Sequence, residues 1–297
     1  MDELMKKELR KRPETQQERR MRDMYVRSKG VENPAQFSLD FELMKNDALR
    51  AMPNDFVRSA LFTTSDKRVE RKAIMRKSIY HLHGDAGLEV IYTGHELRVE
   101  DDQKVYMQIL HYARDVPFGT PFKFTILDLM QNIGWTSQCE ENYSRARDSI
   151  LRLMATALII KNQKSYGSSA MFSLIDRGQI INDKEGKEHT YTLSIDPICV
   201  LLFAGGTFTS QRWSQYLALR PVEVKLLDYA RSNRKSFDLS LKDFEALCGS
   251  NYAQKSGWTR RVRAACAVLV EAGHLPYAEV TSDKKITFSP PKLPGAE

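Results

Sequence analysis

A single arrangement of apolar, capping and turn residues occurs twice in this chain. The stripe Val105, Ile109, Tyr112, Ala113, Arg114 returns 117 residues later as Val222, Leu226, Tyr229, Ala230, Arg231. Phe122, Phe124, Thr125, Asp128 and Gly134 return after 115 residues as Phe237, Leu239, Ser240, Asp243 and Gly249. Ala146, Ile150, Leu153 and Ala157 return after 116 as Val262, Cys266, Leu269 and Gly273. Small loop differences produce drift of this size, so the chain reads as a tandem duplication. Thr125 and Ser240 each stand where a hydroxyl can accept a bond from a free N–H and cap the following helix. Gly134 and Gly249 each fall where a helix must stop and the chain must turn.

Each copy reads helix, short strand, helix, turn, helix, then a strand pair. In the first copy the pair is expected near Ala170–Asp176 and His189–Ile195, joined by 182–186; in the second, near Leu275–Val280 and Lys285–Phe288, joined by 281–284. Ahead of the first copy, Ile74–His83 and Leu88–Thr93 alternate like strands around a turn at 84–87. Asp101 and Asp102 then open a helix where negative charge suits the dipole, and Pro117 ends it. Two helices joined by a tight turn and followed by a hairpin describe a winged helix-turn-helix. The expected fold class is α+β: tandem winged helix-turn-helix domains with a flexible N-terminal arm. The expected boundaries are 1–60 for the arm, 61–205 and 206–289 for the domains, and 290–297 for a C-terminal tail.

In such a motif the second helix of the pair enters the major groove. In the second copy that helix runs from about Gln254 to Glu271. Val262, Cys266 and Leu269 face inward and leave Lys255, Arg260, Arg261 and Arg263 at its N-terminal half. Arginine suits this place, because its fork pairs bidentately with guanine or clamps a phosphate. Trp258 is expected to pack. In the first copy Arg145, Arg147 and Arg152 are expected to point outward, with Arg145 and Arg147 aligned to Arg261 and Arg263; Glu140, Glu141 and Asp148 dilute that patch. Lys284 and Lys285 at the second hairpin tip suit phosphate contact.

Charge and composition support a nucleic-acid partner and exclude other classes. Lys and Arg number 45 against 38 Asp and Glu, a net charge of +7, and the excess is clustered. Residues 1–30 carry ten Lys/Arg against six Asp/Glu and cannot bury enough apolar surface to order themselves, so a tail or frayed helix is expected. The stretch 31–60 reads as loop. A second basic run follows: Lys67, Arg68, Arg71, Lys72, Arg76 and Lys77. No apolar run approaches the ~18 residues of a membrane helix, and the N-terminus lacks a secretory h-region. Cys139, Cys199, Cys248 and Cys266 form no C-x-x-C pair, so free thiols in a reducing cytoplasm are expected, with no metal and no cofactor.

The chain resembles the TrfA replication initiators of broad-host-range plasmids. The shared residues include 60–64, Lys67-Arg68, 91–94, Glu96-Leu97-Arg98, Gly134-Trp135, 153–157, 200–205, Trp213, Tyr216, 248–250, Trp258 and Ala265-Cys266, and the likeness spans roughly 46–285. The resemblance implies two winged-helix domains that bind direct repeats (iterons) at a plasmid origin. It also implies opening of an adjacent A·T-rich region, with its single strands a further candidate ligand. Implied partners are host DnaA, DnaB helicase and the DNA polymerase sliding clamp. Family members act as monomers on DNA, while a homodimer is inactive and limits plasmid copy number.

The same resemblance gives meaning to Gln36, Phe37, Leu39 and Phe41, a short run like the peptides that bacterial sliding clamps bind. A flexible peptide fills a preformed pocket with a few apolar anchors while the Gln sets its orientation. Phe37 stands where the motif usually has Leu, and Asp40 is an extra residue before the aromatic. His81-Leu82-His83 matches the His-hydrophobic-His signature of nicking initiators, but that chemistry needs a third ligand and a placed Tyr; a solvated strand face is the simpler reading. No P-loop, dinucleotide fingerprint or H-E-x-x-H is present. The function expected is therefore a non-enzymatic plasmid replication initiator. The alternative is a sequence-specific winged-helix repressor, which would need a symmetric dimer, a palindromic operator and no clamp peptide.

Overall fold

The computed structural model describes residues 46–82, 88–116, 119–162, 168–182, 188–203, 208–233, 238–250 and 255–289. In chain order these form β1 (Leu49–Pro53), α1 (Asn54–Val57), β2 (Phe62–Thr63), β3 (Ala73–Ser78), β4 (Leu88–His95) and β5 (Leu97–Arg98). A π-helical turn, Val99–Gln103, leads into α2 (Lys104–Tyr112). Next come β6 (Phe122–Thr125), α3 (Ile126–Asn132), α4 (Glu140–Met154), β7 (Ala157–Asn162), β8 (Ser168–Phe172), β9 (Arg177–Asn182) and β10 (Glu188–Ser194). The second half holds α5 (Val200–Phe203), β11 (Phe208–Arg212), α6 (Trp213–Leu217), α7 (Pro221–Ser232), β12 (Leu239–Ser240), α8 (Leu241–Leu247), α9 (Lys255–Glu271), β13 (Tyr277–Val280) and β14 (Lys285–Ser289).

The repeated residues occupy matching places. Val105 and Ile109 on α2 with Ala113 just past its end, and Val222, Leu226 and Ala230 on α7, are all buried. After each helix comes a short strand that pairs with the last strand of its half, giving sheet orders β6-β10-β9 and β12-β14-β13. The Thr125 hydroxyl accepts from Asp128 N and the Ser240 hydroxyl from Asp243 N, each at 3.0 Å, capping α3 and α8. Such a cap contributes about 1 kcal/mol. Gly134 and Gly249 end these helices at φ +81° and +61°, a region costly for any residue with a Cβ. The next helices then bury Ala146, Ile150 and Leu153 on α4, and Val262, Cys266 and Leu269 on α9.

Two expectations are corrected. In the first half the hairpin closing the three-stranded sheet is β9–β10, so its first strand is Arg177–Asn182, not Ala170–Asp176. The run 157–172 forms a separate hairpin, β7–β8, which joins β3 and β4 in a four-stranded sheet of order β3-β4-β7-β8. Long-range pairing of Val90, Ile91 and Tyr92 with Ile160, Ile159 and Leu158 decides this, and it buries Val90, Tyr92, Leu158 and Ile160. Loop-like chain was also expected through residue 60, yet β1 is buried along its length and pairs antiparallel with β11. Its Arg50 tolerates burial because Nε donates to Gln108 Oε1 at 2.8 Å, Nη1 donates to the Asp47 and Leu49 carbonyls, and the guanidinium lies over the Trp213 ring.

The halves share buried polar contacts. Gln103 Nε2 donates to Tyr216 Oη and to Asp228 Oδ2, each at 2.7 Å. Asp228 also accepts from Gln211 (2.6 Å) and from Tyr216 (2.9 Å). Lys225 Nζ donates to the Ser59 carbonyl at 2.9 Å, and at the surface Tyr80 Oη donates to Asp243 Oδ1 at 3.0 Å. Burial pushes the Asp228 carboxyl up to about 6, against the pull of Lys225 and its three donors, and lowers Lys225 to about 8. Polar groups so placed are costly unless mutually satisfied, so these bonds favour one relative placement of α4 and α9.

Candidate nucleic-acid interface

Helix α9 owes its orientation to Trp258. Its indole N–H donates to the Leu241 carbonyl at 3.0 Å and its ring packs against Phe244, fixing α9 on the first residues of α8. Burial of Val262 and Leu269 adds roughly 1.5–3 kcal/mol each. The spacing that buries Trp258, Val262, Ala265, Cys266 and Leu269 leaves Arg260, Arg261 and Arg263 exposed, as the sequence predicts. Lys255 is the first residue of the helix, and its only carboxylate, Glu271, is at the far end. The N-terminal half is therefore purely cationic, and the helix dipole adds partial positive charge there.

Lys284 sits at the tip of the β13–β14 hairpin in a left-handed conformation (φ +58°), and its carbonyl accepts from Leu241 N at 3.0 Å. Its side chain is exposed. Lys285, also exposed, faces Asp238 at 3.5 Å. Trp258 and Lys284 both bond to Leu241, so helix and hairpin tip are positioned from one point.

In α4 the structure separates the three predicted arginines. Arg147 lies over the Tyr143 ring and pairs at 2.8 Å with Glu140, which is largely exposed. Arg145 and Arg152, expected on the outward face, instead turn to carboxylates of the π-helical turn. Arg145 pairs with Asp101 and stacks over Trp135, 4.2 Å from the ring centroid. Arg152 donates to Asp102 Oδ1 through Nε at 3.0 Å and Nη2 at 2.9 Å. Arg71 joins both, with Nη1 2.7 Å from Asp102 and Nη2 3.0 Å from Asp101. The Asp102 side chain is wholly buried and accepts further bonds from Ser149 Oγ (2.7 Å) and Arg98 N (2.8 Å). A helical projection of α4 does not reveal this, because the acids come from another element.

Gln36, Phe37, Leu39, Phe41 and His83 lie outside the described residues. His81 forms an isolated bridge with Ser59. Among the described residues no group of three His, Cys, Asp or Glu is placed to hold a metal ion, and no helix is long and apolar enough to cross a membrane. The four cysteines are free thiols, with Cys139 alone exposed.

The family model of the TrfA protein matches residues 13–286. The chain belongs to the TrfA family. It is 37% identical over 237 residues to the plasmid replication initiator protein TrfA of Escherichia coli, covering 80% of this chain. This chain spans 61% of that relative's length. Among solved structures, the crystal structure of RctB domains 2-3 superposes with a TM-score of 0.52 at 14% identity, over 79% of this chain and 95% of that one. Selenomethionine derivatives of RctB domain 2 and domain 3 align at 0.48, with 15% identity over 71% of this chain and 85% of that one. The fold likeness rests on the former, and this TrfA-family chain shares the mixed α+β architecture of those domains.

Proposed function

We propose that this chain is a plasmid replication initiator whose two halves are winged helix-turn-helix domains binding direct repeats at the plasmid origin. One observation carries the reading. The third helix of each half, α4 and α9, follows a capped helix and a glycine-ended turn in a TrfA-family chain, and α9 bears three exposed arginines in a helix whose own first carboxylate is Glu271 at its far end. Arg260, Arg261, Arg263 and Lys255 engage the major groove, while Lys284 and Lys285 reach flanking phosphates. Arg147 is the contact from α4; Arg145 and Arg152 are positioning residues that seat the helix.

Nothing in this reading requires the chain to be an enzyme. Binding energy, spent on bending or straining the repeat, favours opening of the neighbouring A·T-rich segment. Host DnaA and DnaB helicase supply the remaining work, and Gln36–Phe41 recruits the sliding clamp. The protein works in the cytoplasm, active as a monomer and silenced as a homodimer. Fluorescence anisotropy of size-selected monomer tests this on a duplex of origin direct repeats against a shuffled duplex at one salt concentration. A preference of about 1,000-fold or more with one monomer per repeat is expected; equal affinity for both duplexes overturns the proposal.

A further inference from the structure

The basic run that begins at Lys67 has no part in the contacts assigned above, and its placement is specific. Thr64 N donates to the Cys248 carbonyl at 2.8 Å, and Thr64 Oγ1 shares a 2.7 Å hydrogen bond with Ser250 Oγ. Thr64 is thereby fixed to the turn between α8 and α9. At the other end of the segment, Arg71 is held by Asp101 and Asp102, the carboxylates that also hold Arg145 and Arg152 of α4. Residues 64–71 therefore run from the approach to one groove-binding helix to the flank of the other. Val69 N closes a turn onto the Asp66 carbonyl at 3.1 Å, and the Val69 carbonyl accepts from Arg98 Nη2 at 2.6 Å.

Lys67 and Arg68 stand on that turn. Lys67 borders a cleft of about 260 Å³ with Arg145 and Arg152. Arg71 and Arg98 line the same cleft, against Asp101, Glu141 and Asp148, so five cations face three carboxylates. Arg68 is 84% exposed, and Asp66 takes its Nε and Nη2 at 2.9 and 2.8 Å. Both Nη1 protons and the outer Nη2 proton remain directed away from Asp66, so the fork is held still and presented outward. The Asp66 carboxyl lies well below the usual carboxylate range, chiefly through the Arg68 hydrogen bonds, with a smaller pull from the Arg261 guanidinium of α9.

We propose that Lys67 and Arg68 form a phosphate clamp on the DNA backbone between the stretches engaged by α9 and α4. This rests on the DNA-binding reading above and deepens it. Phosphate contacts carry no base information but fix the register of a protein on the duplex. A clamp tied to both helices sets the spacing at which they meet successive parts of one repeat.

The test uses the full chain with Lys67→Gln, Arg68→Gln and the double variant, and Arg261→Ala as reference. Affinity is measured on repeat and shuffled duplexes across a roughly fourfold rise in salt. Each phosphate contact contributes about 0.9 to the slope of log affinity against log salt. The double variant's slope is expected to be shallower by about 1.8, so that it loses ~12-fold less affinity across the series. Its preference for the repeat stays at the parent value. An unchanged slope in the double variant, with weakened binding in Arg261→Ala, overturns the clamp and leaves the DNA reading intact. Parent-like binding in both variants overturns the clamp and the DNA reading together. Circular dichroism melts of the parent and the four variants separate either result from loss of fold.

Discussion

Arg152 and Arg147 lie on the same helix, yet their substitutions should act oppositely. Arg152→Ala removes two hydrogen bonds to a carboxylate whose side chain is wholly buried. Breaking a buried pair costs about 3–5 kcal/mol. Asp102 keeps Arg71 at 2.7 Å, Ser149 at 2.7 Å and the Arg98 N–H at 2.8 Å, which places the cost near the lower end. A loss of about 3 kcal/mol lowers Tm by roughly 5 °C in a chain of this size. Arg147→Ala removes a pair whose acid, Glu140, is 77% exposed, which costs only ~0.2–1 kcal/mol. Thermal melts followed by circular dichroism measure both, and anisotropy on the repeat duplex supplies the second axis. Arg152→Ala should be the less stable protein with near-parental affinity at low temperature; Arg147→Ala should melt like the parent and bind DNA less well. The reasoning is refuted if Arg152→Ala melts within about 2 °C of the parent while losing DNA affinity, because Arg152 would then be a contact and not a seat for the helix.

Gly249 and Gly273 both have positive φ, but a Cβ at Gly249 would approach Thr63 Cγ2 to 2.6 Å, whereas one at Gly273 meets nothing within 4 Å. Gly273→Ala should cost about 1–2 kcal/mol and Gly249→Ala more, with Thr63→Ser relieving part of the excess, as denaturant melts will show. Asp228 gives a pH signature. Its folded pKa of about 6 exceeds the ordinary 3.8, so between those values the folded state binds more protons and stability falls as pH rises, by about 3 kcal/mol across the window. His111, lowered to about 3 by burial and by Arg50 and Arg114, acts oppositely over much of that range. The effect is therefore read as parent minus Asp228→Asn, a difference that should shrink by about 3 kcal/mol from pH 4 to 7; a flat difference would count against the burial argument.

Where each element's role is set by its own residues, the sequence was enough to find it. The α2 and α7 stripes, the Thr125 and Ser240 caps, Gly134 and Gly249, and the packing of Trp258 were all legible because local spacing and side-chain chemistry decide them. The misread regions depend on partners far along the chain. Several strand-like runs lie between 157 and 194, and only pairing with β4 assigns the first of them to a different sheet. Periodicity on α4 locates its apolar face but says nothing of Asp101 and Asp102 waiting beyond it. The basic run at 67–77 was visible as charge, while its place between two helices depends on Thr64 and Arg71.

The pairing of β1 with β11 joins Leu49 to Arg212 and Pro53 to Phe208. A ribosome delivers the second strand about 160 residues after the first, which at ~5–20 residues per second is a wait of roughly 8–30 seconds. During that interval β1 can pack on α2, which its Arg50 meets through Gln108, but its backbone edge has no partner strand. Shortening the protein from its N-terminus past Pro53 would remove β1 for good: β11 would present an unpaired edge in the finished molecule, an invitation to self-association rather than the simple loss of a tail.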